Sequence, residues 1–165
     1  MEDLMQSLFA PWRITYITGK KQNGCVFCRD SIRGSEFVLH EGTAVYVMMN
    51  LYPYTCGHLL IIPYRHVSEI EELQPEEKIE MFDLIDFSVR SLKEVMQPHG
   101  FNIGMNLGKA AGAGIDDHLH AHVIPRWGGD TNFVSTVGKI RVIPEDLSET
   151  RNRLLPCFRK YQRED

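Results

Sequence analysis

Apolar and polar positions along the chain predict strands first, one long helix next, and then strands again. Residues 36–40, 43–49 and 58–63 are rich in valine, leucine, isoleucine and tyrosine, side chains that suit a pleated and largely buried surface. Glu41-Gly42 separates the first two runs as a turn, so they read as a hairpin, and the stretch from Tyr52-Pro53 to Gly57 separates the second from the third. Pro75-Glu76-Glu77 has the chemistry of a helix start, with proline in the first turn and acids at the positive end of the dipole. From there Ile79, Phe82, Ile85, Val89, Leu92 and Met96 recur at three- and four-residue steps until Pro98 and Gly100 end the run. Residues 101–107 and 118–125 return to strand character. After Arg126 glycines and prolines mark loops, with a short helix expected over 145–153. This order predicts an α+β fold, an antiparallel sheet of about five strands with the long helix on one face and a shorter C-terminal helix.

Composition adds bounds to that picture. The 165 residues suffice for one domain with extensions and fall short of two ordinary domains. The expected division is an N-terminal arm over 1–21, a domain over 22–130, and a C-terminal extension over 131–165 packing on that domain. The arm carries Phe9, Pro11, Trp12, Ile14, Tyr16 and Ile17 without helical period, as a segment laid on the body or on a partner subunit would. A net charge of −4 and a pI near 6.0 give no general attraction to nucleic acid or to anionic membranes. A local positive pocket for a small polyanion remains compatible with it. No window approaches the roughly 18 apolar residues of a membrane span, and Met1-Glu2-Asp3 lacks the basic and apolar regions of a signal peptide. The expectation is a cytoplasmic protein that binds neither nucleic acid nor membrane.

Chemistry concentrates in the segment from His118 to Ile124, where histidines at 118, 120 and 122 alternate with Leu119, Ala121 and Val123. On a strand, three imidazoles would share one face at about 6.6 Å intervals while the apolar residues enter the core. Such a row spans a groove about the length of a di- or triphosphate. Two histidines at alternate strand positions can also share a zinc ion, but that reading leaves the preceding segment without a role. That segment, Asn106 through Gly114, holds Gly108, Lys109, Gly112 and Gly114. It matches neither the P-loop nor the dinucleotide pattern; its small residues would let backbone N–H groups approach an anion, and Lys109 would add charge. It also reads as a plain turn between strands. Among the four cysteines, Cys25 and Cys28 have the spacing of a metal knuckle, of a redox pair, or of two free thiols, while Cys56 and Cys157 read as ordinary thiols.

The alternation from His118 to Ile124 resembles the motif of the histidine triad (HIT) superfamily. The resemblance extends to Cys25 and Cys28, Asn50, Gly57-His58, Pro63 to His66, Asn106 and Pro125-Arg126. The flanks, Ala10-Pro11-Trp12-Arg13 and Trp127 to Phe133, resemble the branch of diadenosine polyphosphate phosphorylases and hydrolases. The resemblance implies a HIT-like fold with His120 as nucleophile toward the α-phosphorus of a nucleotide, forming a covalent nucleotidyl-histidine that water or inorganic phosphate then releases. It implies that His122 contacts the phosphate and assists the leaving group. Asn50 would hold the ribose, and Asn106, Lys109, Gly112 and Gly114 would bind phosphate oxygens. It supplies two further ligands, His66 and His118, for a structural zinc with Cys25 and Cys28, so that His118 serves both triad and metal. No organic cofactor is implied. A homodimer is, with the long helix and neighbouring strands at the interface.

One departure stands out. Many members place glutamine, serine or threonine shortly before the first triad histidine, where this chain has Gly114-Ile115-Asp116-Asp117. Phosphate contacts are then expected from backbone N–H groups or from Lys109, Arg126, Thr131 or Asn132, with both aspartates turned outward. The leading reading is cleavage of dinucleoside polyphosphates such as diadenosine tetraphosphate. The alternatives are a purine nucleoside phosphoramidase using the same histidine, and a non-catalytic nucleotide- or zinc-binding regulator. A nucleic-acid repair role would call for a basic appended element that the sequence does not display.

Overall fold

The structure is a computed structural model that describes residues 24–112, 114–131 and 142–161. The expected N-terminal arm lies outside the described residues. So do residues 132–141 and 162–165 of the C-terminal extension.

A short helix α1 (Arg29–Ile32) precedes strands β1 (Val38–Glu41), β2 (Val45–Met49) and β3 (Leu59–Pro63). The long helix α2 (Pro75–Met96) follows, then β4 (Gly100–Met105), β5 (Ala121–Arg126) and helix α3 (Leu147–Tyr161). The five strands form one sheet in the order β1-β2-β3-β5-β4, with every pairing antiparallel. The expected α+β architecture is therefore present, including the β1–β2 hairpin.

The hairpin turn is held from the helix side. The Glu80 carboxylate accepts the backbone N–H groups of Thr43, Ala44 and Val45 at 2.6, 2.7 and 3.0 Å. Gly42 is required there, because a Cβ would overlap Glu80 Oε1 and stand 2.6 Å from the Val45 carbonyl.

β2 and β3 are buried along their whole length, and the period of two sorts their side chains into two cores. Val45, Val47, Met49, Leu59 and Ile61 face α2 and α3 and join Met81, Leu84, Leu92, Leu154 and Phe158. Tyr46, Met48, Leu60 and Ile62 face the other way and pack with Phe27 and Ile32. The first core is thick and covered by helices. Among the described residues the second is thin, closed chiefly by the segment around α1.

Three expectations change in detail. In α2 the buried stripe runs through Met81, Leu84, Ile85, Ser88 and Leu92, whereas Ile79 and Phe82 are 64% and 70% exposed. The helix carries apolar residues on two faces, and periodicity alone does not say which one the sheet covers. The C-terminal helix extends to Tyr161, past the expected end at 153, and includes Pro156. Burial of Leu154 and Phe158 offsets the hydrogen bond that proline removes. Finally, the last strand begins at Ala121 rather than His118. The chain just before it runs beside the loop after β3, where the Leu119 N–H donates to the Val67 carbonyl at 2.7 Å.

Candidate functional site

His118, His120 and His122 are all buried, at 1%, 7% and 7% exposure, yet they do not form one uniform row. The two that follow His118 stay together, with ring centres 4.9 Å apart. His118 instead faces the cysteine pair.

Each imidazole is held by a group that fixes where its proton sits. His120 Nδ1 lies 2.8 Å from the His118 carbonyl oxygen. A carbonyl only accepts, so Nδ1 carries the proton and Nε2 keeps its lone pair. Burial holds the His120 pKa below the ordinary imidazole value, partly opposed by that hydrogen bond. The neutral form therefore dominates at neutral pH.

His122 is set by a longer chain of contacts. The backbone N–H of Tyr54, which only donates, meets His58 Nδ1 at 3.1 Å, and the Asn50 amide nitrogen lies 3.2 Å from the same atom. His58 Nδ1 thus accepts, and neutral His58 carries its proton on Nε2. That atom is 2.9 Å from His122 Nδ1, which must then accept in turn. The proton of neutral His122 is left on Nε2, 3.5 Å from the Asn106 amide nitrogen; the amide turned end for end presents its oxygen as the acceptor this proton requires. Burial, followed by the neighbouring His120, pushes the His122 pKa down to about 4. Side by side stand a nitrogen with a lone pair and a nitrogen with a proton, the pair that a nucleophilic displacement needs.

Backbone packing explains why His58 arrives there. Gly57 has φ +73, and a Cβ would come within 2.8 Å of Met96 Sδ and 2.9 Å of Leu92 Cδ2. Only glycine lets the loop press this closely on α2. The Thr55 hydroxyl donates to the Pro125 carbonyl at 3.0 Å, tying the same loop to β5.

His118 uses its two nitrogens differently. Nε2 donates to the Pro63 carbonyl at 2.9 Å, so Nδ1 presents a lone pair toward Cys25 Sγ at 3.2 Å and Cys28 Sγ at 4.0 Å. His66 Nδ1 lies 3.4 Å from Cys28 Sγ. One ligand atom from each of Cys25, Cys28, His66 and His118 falls within 4.8 Å of all the others. Tetrahedral zinc with Zn–S near 2.3 Å and Zn–N near 2.0 Å implies S···N separations of about 3.5 Å. The donor set and spacing fit such an ion, and the Pro63 carbonyl supplies the outer contact that fixes a ligand histidine.

The remaining expected residues divide. Asn50 is near the site through His58, and its Oδ1 accepts the Tyr52 N–H at 2.9 Å. Gly108 and Gly112 adopt φ of +74 and +87 around a 3-10 turn, and the Gly112 N–H is bonded to the Lys109 carbonyl within that turn. Gly114 is exposed. Lys109 is 85% exposed and pairs with Asp116 at 3.6 Å, and Asp116 and Asp117 both face solvent. Arg126 does not reach toward an anion. It forms two bonds to the Asp130 carboxylate at 2.6 and 2.9 Å and one to Asn102 Oδ1 at 2.8 Å, holding the turn after β5. The Thr131 hydroxyl donates to the same aspartate at 3.3 Å, and Asn132 is outside the described residues.

Sequence reasoning named His58 only as part of the family resemblance and gave it no role. Two further contributors were not singled out and carry no sequence signal: Phe27, 5.0 Å from the His120 ring, and Tyr54, 4.7 Å from the His58 ring.

Residues 34–129 match the family model described as the HIT domain, which covers more than half of the chain; the protein belongs to the histidine triad family. Among its relatives is the AP-4-A phosphorylase of Mycobacterium tuberculosis, 49% identical over 117 residues. That alignment takes in 71% of this chain and 60% of the relative's length, so the two share less than two thirds of the longer protein. The adenylylsulfatase HINT3 of Arabidopsis thaliana is 31% identical over 142 residues, 85% of this chain and 70% of that one. A zinc-bound histidine triad family protein from Mycobacterium smegmatis superposes with a TM-score of 0.68 at 28% identity, covering 86% of this chain and 97% of the other. Among the described residues, no helix is long and apolar enough to cross a membrane.

Proposed function

We propose that this protein cleaves dinucleoside polyphosphates through a covalent nucleotidyl-histidine on His120. The observation that carries the reading is the opposite setting of two neighbouring imidazoles, an Nε2 lone pair on His120 and an Nε2 proton on His122. His120 Nε2 attacks the α-phosphorus, forming the P–N bond as the P–O bond to the β-phosphate breaks. The phosphate departs as an anion whose oxygen accepts a hydrogen bond from His122 Nε2–H, and Asn106 meets the charge on the phosphoryl oxygens. Water or inorganic phosphate then attacks the same phosphorus, the P–N bond breaks to return the Nε2 lone pair of His120, and the proton of the attacking oxygen leaves to solvent. Kinship with the mycobacterial phosphorylase supports this substrate class.

Cys25, Cys28, His66 and His118 would hold a structural zinc, whose contribution is to tie the segment around α1 to the chain leading into His120. The site itself calls for no organic cofactor. The outward stripe of α2 with Ile79 and Phe82, together with Ile103 on edge strand β4, 49% exposed, suits a homodimer; a monomer mass in sedimentation at micromolar concentration would remove that part. The reading is of a cytoplasmic enzyme acting on a small nucleotide.

The test is intact-mass spectrometry after brief exposure to diadenosine tetraphosphate without acid. An added adenylyl mass on the native chain, lost in His120→Ala, is the expected result. Product analysis with and without phosphate then separates ADP from AMP as the released half. Turnover by His120→Ala at the native rate would overturn the mechanism.

A further inference from the structure

We propose that Cys25 and Cys28 are a redox switch acting on His120: a peroxide joins their sulfurs as a disulfide, the zinc they would share with His66 and His118 is lost, and His120 loses the contacts that orient it. The role of His120 as nucleophile rests on the reading above; the oxidation and the loss of metal stand apart from it.

Two contacts couple the cysteine pair to His120. The first runs through His118, whose Nδ1 faces Cys25 Sγ at 3.2 Å while its main-chain carbonyl accepts the Nδ1–H of His120 at 2.8 Å. One residue thus belongs to the metal cluster by its side chain and to the nucleophile by its backbone. The second runs through Phe27, which lies between the two cysteines in sequence. Its N–H donates to Cys25 Sγ at 3.4 Å, and its ring stands 5.9 Å from the His118 ring and 5.0 Å from that of His120. Because the Phe27 ring is buried, a shift of the knuckle that carries it moves the imidazoles packed against it.

Access makes this pair reactive. Cys25 and Cys28 are both half-buried, Val26 between them is exposed, and the contact of Cys28 Sγ with His66 Nδ1 at 3.4 Å lies at the surface. His118 and His120, which the pair supports, are buried. The thiolates therefore meet a small oxidant from solvent directly. The Cys28 thiolate attacks one peroxide oxygen, the O–O bond breaks, and a sulfenic acid forms as the other oxygen leaves as water. The Cys25 thiolate then attacks that sulfur, the S–S bond forms, and the hydroxyl leaves as a second water. Two electrons pass from the sulfurs to the peroxide, and two protons from solvent complete the waters. The donor set falls from four to His66 and His118 alone, too few for the four-coordinate site of a structural zinc. A dithiol with zinc present reverses the change.

The experiment treats the zinc-loaded protein with hydrogen peroxide in slight molar excess and follows metal and sulfur without any nucleotide. Release of about one zinc per chain to a chromogenic chelator is expected, with a mass loss of two hydrogens that peptide mapping places on Cys25 and Cys28. The double variant Cys56→Ser, Cys157→Ser should behave like the native chain. Imidazole nitrogen NMR should show His120 leaving its single Nδ1–H tautomer while circular dichroism keeps the native signal. Adenylylation by diadenosine tetraphosphate should slow about a hundredfold, the scale of a small misplacement of a reacting group, and dithiothreitol with zinc should restore every reading. Purified protein without zinc, or zinc retained with both thiols reduced, would overturn the switch. A disulfide that leaves the His120 signals unchanged would do so too, and so would global unfolding on oxidation, because the cysteines would then serve the fold alone. If the native protein is not adenylylated, the polyphosphate reading fails, and zinc release with the imidazole spectra still decides the switch.

Discussion

The two faces of the sheet are built from the same strands and serve different ends. Toward α2 and α3, Val45, Val47, Met49, Leu59 and Ile61 meet a continuous layer of helix side chains. Toward the opposite side, among the described residues, Tyr46, Met48, Leu60 and Ile62 meet Phe27, Ile32 and a few partly buried neighbours, and the histidines lie close to that thin cover, with Phe27 against His120. The helix-covered face supplies the burial that makes the fold stable. The other face spends its positions on imidazoles, thiols and backbone carbonyls, groups that are costly to bury without partners. What the contrast teaches is that a reactive face needs an inert one behind it to hold the strands in register.

The comparison is broken most severely by His120→Asn. It should reduce turnover by about four orders of magnitude or more, as loss of a nucleophile does, with the thermal midpoint close to that of the native protein. Calorimetry beside a rate assay checks both halves. The converse variant, Phe158→Ala, should lose about 3–5 kcal/mol of stability in denaturant melts, while kcat/KM of the folded fraction stays within a few-fold. A large loss of activity in the folded protein would mean that the two faces are not separable. Metal removal falls next. Elemental analysis should find about one zinc per chain, and chelation should lower the midpoint by about 10 °C; an unchanged midpoint would return Cys25 and Cys28 to free thiols.

Smaller effects sharpen the contrast through pH. His120 and His122 are held neutral with pKa values below the ordinary imidazole value, near 4 for His122. The unfolded chain takes up these protons near pH 6.5, so the unfolded state binds more protons than the native state between those limits. Stability is then full above pH 6.5 and falls as the pH drops toward 4. For the same reason the acid limb of kcat/KM should lie below 6.5; a limb above it would contradict the burial of His120. On the helix side the sign has the same direction and a lower window. Arg65 binds both oxygens of the buried Glu77 carboxylate at 2.8 Å and holds its pKa down. Glu77→Gln should lower the midpoint by a few degrees at pH 7, about one kind of hydrogen bond's worth, and the difference should close as the pH falls below about 4.

Much of this was legible in the chain. The apolar runs of β2 and β3, the proline-led start of α2 and the glycine-bearing turn at Gly42 each depend on neighbours in sequence, and each stands where expected. The triad and the four residues that could hold a metal ion were also readable, though His66 and His118 in that set only through resemblance to a family. The division of labour among the histidines was not. His118 turns to the cysteines because the chain before Ala121 pairs with Val67, and His58 enters because Gly57 packs on Leu92 and Met96.

By itself, then, the sequence determined the elements, the family and the residue types able to react, because helix and strand periods, turn chemistry and side-chain acid–base character are local properties. Only the tertiary structure decided which face of α2 is buried, why Arg126 serves a turn instead of a phosphate, and which nitrogen of His120 and of His122 bears the proton. A tautomer is set by the nearest obligate donor or acceptor, here the His118 carbonyl for one and the Tyr54 N–H acting through His58 for the other. The second of these spans 68 positions of sequence from Tyr54 to His122, a distance that only folding closes.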